Sequence, residues 1–204
     1  MSAHTFPEIL DTARLRLRPY RTADAPSMLA LIDHNREILV REFAAQAALH
    51  TVAQAEAFVA QKAEAWKAAK TFCYGIWERK TDAQVGQIQV KNIDWDIPAA
   101  ELGYFIARSA QRQGYASEAT QRILKCAFRE RLFQRIFVRI LPSNPESFRL
   151  AKQLGFCEEG VHRNAYRCGL GQLHDVRYLS LTPGDYRRLQ PDTHNAVPSL
   201  RDSG

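Results

Sequence analysis

Residues 102–116, LGYFIARSAQRQGYA, are where residue types and their order could do chemistry. An apolar strand pattern runs into Gln111-Arg112-Gln113-Gly114-Tyr115-Ala116, and an amphipathic helical pattern starts at once. A strand-to-helix turn aims several unpaired backbone N–H groups, and the positive end of the helix dipole, at one spot. Such a spot binds phosphate without needing any particular side chain. Gly114 lets the backbone approach an anion closely, and small Ala116 and Ser117 keep the first turn open. Two familiar phosphate loops do not fit, because the segment has neither Gly-Lys-Ser/Thr nor G-x-G-x-x-G.

The elements that must position this turn can be read from periodicity. Arg14-Leu15-Arg16-Leu17-Arg18 alternates strictly and ends at Pro19, which predicts a half-buried edge strand. Asp24–Asn35 predicts a helix, and Thr51-Val52-Ala53-Gln54 a capping box opening another, with Ala55, Phe58, Val59, Lys62 and Trp66 along one face. Phe72–Glu78 and Val85–Asn92 read as a hairpin around Lys80-Thr81-Asp82, and Ala100–Ala107 as the strand before the turn. The helix from Ala116 places Ala119, Ile123, Leu124, Ala127 and Phe128 on one face. Arg135–Leu141 predicts a buried strand. Asn144 is a good N-cap and Pro145 suits the first helical position, so a helix follows and stops at Gly155. Phe156–Gly160 and Asp175–Leu181 read as closing strands, and beyond about Gln190 a polar tail is expected to pack poorly.

A chain of 204 residues that is 46% hydrophobic and 25% charged suits one soluble α/β domain with a sizeable core. The first residues lack an apolar h-region and no apolar run is long enough to span a bilayer, so a cytoplasmic protein off the membrane is expected. Cys73, Cys126, Cys157 and Cys168 form no CxxC pair and read as thiols of a reducing cytosol. No His, Cys, Asp and Glu group has metal-ligand spacing, so no metal is expected. Net charge is +6, yet Arg108–Lys152 alone carries ten Lys/Arg against three acids. The basic surplus therefore surrounds the proposed phosphate turn, which suits a polyanionic small molecule. Nucleic acid is disfavoured, because no exposed aromatics interleave with the basic residues.

Taken in order, TARLRLRPY, AELGYFIA entering QRQGYA, NPES within SNPESFRLAKQLGF, then EEG and HDV carry a family resemblance. From roughly Thr12 to Leu181 the chain resembles a GNAT acetyltransferase of the RimJ/RimL type. The resemblance implies an α/β fold with a mixed, mostly antiparallel central sheet, splayed middle strands and flanking helices. It divides the chain into an N-terminal extension (1–11), an acetyltransferase domain (12–189) and a polar C-terminal tail (190–204). It implies acetyl-CoA as co-substrate and direct transfer in a ternary complex to a primary amine, here the α-amino group of a protein or peptide. A small amine (polyamine, aminoglycoside or amino acid) and a non-catalytic CoA-binding module are the alternatives, and a homodimer is left open.

Site residues follow from the same resemblance. The strands ending near Ala107 and Leu141 would splay to admit the pantetheine arm along the edge at Phe105, Ile106 and Ala107. The pyrophosphate would sit on the N–H groups of Gln113, Gly114, Tyr115, Ala116 and Ser117, flanked by Gln111 and Arg112. Asn144 would meet the pantetheine and Ser147 the thioester sulfur. Acetyl transfer needs a neutral amine, a stabilised carbonyl oxygen and a departing thiolate. Glu101, on the strand beside the cleft and on one face with Gly103 and Phe105, is the candidate base, and its other reading is a surface carboxylate or an ion-pair partner. Backbone N–H groups near Phe105–Ile106 would serve the oxyanion. Two departures stand out: Ala151 replaces the tyrosine acid common in the family, and Ala165 replaces a glutamate some RimL-like proteins carry before the tyrosine matching Tyr166. Tyr166, Glu159 and His174 read more simply as a packed ring, a strand-surface acid and a turn histidine. Trp66, Trp77 and Trp95 could line a pocket but at their spacing read as core.

Overall fold

Alternation in the first strand does what elementary burial demands: Leu15 and Leu17 are fully buried while Arg16 points outward to Asp11. In a computed structural model, which describes residues 5–129 and 132–189, this strand (β2, Leu15–Pro19) belongs to one eight-stranded sheet. The others are β1 (Leu10–Asp11), β3 (Phe72–Glu78), β4 (Gln84–Asp94), β5 (Ala99–Ile106), β6 (Arg135–Ile140), β7 (Cys157–Arg167) and β8 (Leu173–Leu181). Their order is β1-β2-β3-β4-β5-β6-β8-β7, and every neighbouring pair is antiparallel except β5 with β6.

Helices cover the sheet on both faces. One face carries α1 (Ala25–Glu42), the single turn α2 (Ala44–Ala47) and α3 (Val52–Lys67) over a core that includes Met28, Ile32, Leu39, Phe58, Val59, Trp77 and Phe105. The other carries α4 (Tyr115–Arg129), whose Ala119, Ile123, Leu124 and Ala127 are buried against Ala100, Leu102 and Ile136. With α5 (Pro145–Gln153), that second layer flanks the middle strands, and α6 (Pro183–Leu189) adds Tyr186. Each fully buried Leu, Ile or Phe contributes about 1.5–3 kcal/mol, so these stripes outweigh helix propensity in fixing the layers. The capping box expected at Thr51 is formed, with the hydroxyl accepting from the Gln54 N–H and the Gln54 side chain reaching back.

The middle of the sheet positions the site. β5 and β6 pair as parallel strands only at Ala99–Glu101 with Arg135–Phe137. Beyond that point β5 continues to Ile106 bonded to β4, while β6 continues to Ile140 bonded to β8. The two facing edges therefore diverge and leave main-chain groups without a ladder partner between them.

Several expectations need correction. The strand expected at the edge is second from it, because β1 pairs outside it, Leu10 opposite Leu17. Within the expected N-terminal extension, Phe6 and Leu10 are buried in the core. The first helix runs to Glu42, well past Asn35, because Leu39 continues the buried stripe. β6 is buried on alternate residues only, with Phe137 and Arg139 half-exposed. The segment between Gly160 and Asp175 is mostly strand. Tyr166 and His174 are cross-strand partners on β7 and β8, and a register shift between His162 and Tyr166 had hidden the alternation. The three tryptophans pack as core should: Trp66 against Phe72 and Tyr74, Trp77 against Tyr20, Trp95 against Phe133. The expected C-terminal tail, 190–204, lies outside the described residues. Among the described residues, no helix is long and apolar enough to cross a membrane.

Candidate active site

The turn after β5 is pinned at both ends. The Ala107 N–H donates to the Val85 carbonyl (2.8 Å), and the Arg108 N–H to Oδ1 of buried Asn35 on α1 (2.8 Å). After one 3-10 turn (Arg108–Ala110), Arg112 and Gly114 take positive φ values, 61° and 79°. The first helical bond of α4 runs from the Glu118 N–H to the Gly114 carbonyl (3.0 Å). Intrahelical partners begin only there, so the N–H groups of Tyr115, Ala116 and Ser117 face outward beside the positive helix end. Gln111 folds back, donating from Nε2 to the Ile106 carbonyl (3.1 Å). The Ala107 N–H is committed to the sheet, so Ala107 shapes the strand end and presents no free donor.

Below this turn runs a continuous cleft. Its outer part lies between α1 and α5 and is lined by Phe105, Ile106, Gln111, Arg112, Ala116, Asn144 and Ser147. Its inner part fills the opening between β5 and β6, with Leu102, Gly103, Val138, Ile140, Leu150 and Ala151 on its walls. Glu42, Phe43, Tyr104, Asn144, Ser147 and Leu150 belong to both parts and mark the junction. The inner wall also carries Thr120 of α4, 1% exposed, whose hydroxyl has no hydrogen-bond partner. A buried orphan hydroxyl on a cleft wall fits a ligand with amide groups. With the outward N–H groups above it, the cleft fits an extended arm ending in phosphate. Among the described residues, no cluster of three His, Cys, Asp or Glu side chains could hold a metal ion.

At the junction, Asn144 acts through both ends of its amide. Oδ1 accepts from the Ser147 N–H (3.0 Å), capping α5 as its type predicts, and Nδ2 donates to both oxygens of Glu42 (2.9 and 2.8 Å). Ser147 and Tyr104 line this junction together, and burial pushes the Tyr104 phenol up to about 12. Burial likewise raises the Glu42 carboxyl, only partly offset by the Asn144 bond, and the Tyr166 phenol.

Glu101 is in the cleft as expected, but it is 4% exposed and already engaged. Lys91 Nζ lies 3.3 Å from one oxygen, and Arg139 Nε 3.1 Å and Asn92 Nδ2 2.6 Å from the other. The Arg139 Nε–H is not aligned for a hydrogen bond, so that contact is an ion pair by distance alone. The contacts of Glu101 are those of the ion-pair partner that the sequence also allowed. Arg139 lies opposite Tyr178 on β8, and on that side of the sheet the Tyr178 ring stacks between Phe137 (6.4 Å) and His162 (4.0 Å). Glu159 pairs with Arg135 and accepts from Ser180, and so is structural.

The structure thus brings Ser147, Asn144, Ile106, Gln111, Arg112 and Ala116 to one cleft, while Gln113, Gly114, Tyr115 and Ser117 build the turn above it. Glu42, Tyr104 and Thr120 were not foreseen. Tyr104 and Thr120 follow from strand and helix facing once the gap is known, whereas nothing local in Arg41-Glu42-Phe43 distinguishes Glu42 from a helix-end surface acid.

Comparison with known proteins agrees with this geometry. Residues 14–157 match the family described as acetyltransferase (GNAT) domain. The chain is 28% identical over 176 residues to the uncharacterized N-acetyltransferase YoaA of Bacillus subtilis, covering 86% of this chain and 97% of YoaA. It is 33% identical over 113 residues to the uncharacterized N-acetyltransferase p20 of Bacillus licheniformis, covering 55% of this chain and 63% of p20. Its fold superposes on that of RimL, a ribosomal alpha-N-protein acetyltransferase solved in complex with coenzyme A, with a TM-score of 0.80 at 21% identity, covering 86% and 98% of the two chains.

Proposed function

The chain belongs to the GNAT acetyltransferase family, and we propose that it moves the acetyl group of acetyl-CoA to the α-amino group of a peptide or protein. The observation that carries this reading is the parallel β5–β6 pair that opens beyond Glu101, directly between the Gly114 turn and the Asn144–Ser147 helix entrance.

In this reading the N–H groups of Gln113 through Ser117 hold the pyrophosphate, flanked by Gln111 and Arg112. The edge of β5 that faces away from β4, at Tyr104 and the Ile106 N–H, pairs with the pantetheine amides, and the Thr120 hydroxyl finds its missing partner there. A strand edge with unpaired main-chain groups is suited to an extended amide arm. Ser147 lies where a hydroxyl can hydrogen-bond the departing sulfur, and Tyr104 can relay a proton to Ser147. That supplies the acid that Ala151 cannot.

A peptide acceptor is favoured by Arg139 of the cleft wall and the neighbouring stack of Phe137, Tyr178 and His162, which give an extended chain somewhere to lie. The alpha-N-protein acetyltransferase activity of RimL points the same way. The test is thiol release from acetyl-CoA with peptide amides starting in Ser, Ala or Met, and with spermidine, kanamycin and lysine. Peptides should exceed the small amines at least about tenfold in kcat/KM, a difference of about 1.4 kcal/mol. Faster turnover of a small amine would overturn the acceptor assignment. Tight CoA binding with no thiol release would leave a binding module.

A further inference from the structure

We propose that Glu42, the last residue of α1, is the carboxylate that receives the proton of the acceptor ammonium. The proposal deepens the acetyl-transfer reading and rests on it.

Position is the first reason. Glu42 lines both parts of the cleft at their junction, where Tyr104 and Ser147 also meet. Partnering is the second. Among the described residues that line the cleft, Glu101 is ion-paired to Lys91 and Arg139, and Glu146 to Arg149. Glu42 is instead held by a neutral group, the Asn144 amide, at 2.9 and 2.8 Å. A carboxylate has about four lone-pair sites, so this orients it without exhausting its capacity. The same Asn144 accepts from the Ser147 N–H, so one side chain sets the spacing between Glu42 and Ser147.

Surroundings are the third reason. Phe43 and Tyr104 line the same junction, Tyr166 lines the inner part of the cleft, and Phe43 is fixed edge-on to Phe105 at 5.4 Å. Aromatic walls around a carboxylate attract an ammonium and exclude its competing water. The titratable and charged groups lining the cleft around this spot are Tyr104 from β5, Tyr166 from β7 and, deeper in the cleft, the Lys91–Glu101–Arg139 cluster, with Glu146 of α5 and Arg112 of the turn in the outer part. Burial raises the Glu42 carboxyl, in the direction a base working near neutral pH requires.

The step balances. The ammonium gives one proton to Glu42, directly or through one water, and the freed nitrogen lone pair forms the C–N bond to the thioester carbonyl carbon. As the C–S bond breaks, its electron pair leaves on sulfur, which takes up the second nitrogen proton through Ser147 and Tyr104. Glu42 then releases its proton to solvent, so the products are the N-acetyl amide, the free thiol and one proton.

The experiment compares wild type with Glu42→Gln, using the peptide amide that wild type acetylates fastest. CoA affinity is read by calorimetry and kcat/KM across pH. The variant should bind CoA within about threefold of wild type yet lose about 100-fold in kcat/KM at neutral pH. That deficit should shrink as pH rises toward the α-amino pKa of about 8, where the acceptor deprotonates by itself. A loss below threefold, or one of the same size at every pH, overturns the proposal. Should Glu42→Gln fail to fold, Glu42→Asp decides: reduced activity with an acidic limb supports Glu42, and a pH-independent loss overturns it. A wild type that acetylates no amine sinks the transfer reading, and this proposal with it. An active wild type with a pH-independent deficit in the variant sinks only this proposal.

Discussion

Arg14 and Glu118, 104 positions apart, are locked together beside the phosphate turn. The Arg14 guanidinium donates from Nε to Glu118 Oε2 at 2.7 Å, and its other arm reaches the Gln113 carbonyl at 2.8 Å. Thr12 and the Arg14 backbone N–H hold the other Glu118 oxygen at 2.6 and 2.9 Å. A carboxylate in the first turn of α4 would otherwise repel the phosphate proposed to bind at this helix end. The strand thus does more than complete the sheet: it ties back the one acid in that first turn.

Arg14→Ala should therefore weaken CoA binding about tenfold, equal to about 1.4 kcal/mol, while the fold persists. Calorimetric titration checks this. An unchanged Kd would show that the clamp serves the sheet alone.

The same clamp makes stability depend on acid. Burial pushes the Glu118 carboxyl up, but the Thr12 hydroxyl and the Arg14 N–H and guanidinium outweigh it and leave it below the ordinary carboxylate value. Asp24 follows the same pattern, burial being outweighed by Arg18 and the Arg21 N–H. A carboxyl with a depressed folded-state pKa binds fewer protons than when unfolded, so its contribution is present above about pH 4 and lost as pH falls through the folded value. Glu42 has the opposite sign, because its raised pKa costs stability as pH climbs past the unfolded value. Urea midpoints between pH 3 and 7 should rise with pH for wild type, and Glu42→Gln should be no less stable than wild type at neutral pH.

Gly114→Glu should abolish CoA binding and leave the fold intact. A new anion would stand where phosphate belongs, and φ of 79° costs a non-glycine residue about 1–2 kcal/mol, within the tolerance of a whole domain. Retained CoA affinity in a folded variant would remove the turn from the site.

Ser147→Ala should lower kcat more than it alters KM for acetyl-CoA, by about tenfold or more, with Tyr104→Phe in the same direction. Equal loss in both constants would assign Ser147 to binding.

Glu101→Gln should act chiefly on stability. Removing the charge leaves Lys91 and Arg139 half-buried beside a neutral amide, a change of about 3 kcal/mol by analogy with broken buried pairs. Its pH–rate profile should keep the wild-type shape. A lost acidic limb would return the base to Glu101.

Much of this chain was legible locally. The Gln111–Ser117 turn, the Thr51 box and the Asn144-Pro145 helix start each depend on the stereochemistry of a few consecutive residues, and the order of strand and helix patterns indicated the α/β class. Burial stripes likewise marked α4 before any partner was known. What a one-dimensional pattern cannot carry is which distant groups meet. For Glu101 the sequence left base and ion-pair partner both open, because Lys91 and Arg139 lie on neighbouring strands. Glu42 drew no notice in the sequence because Asn144, 102 positions later, is what holds it in place. The gap between β5 and β6 exists only because those strands stop pairing after Glu101. Charge partners, burial and cleft shape are properties of the packed whole, so tertiary structure alone decided which carboxylate is ion-paired and which is held by a neutral amide.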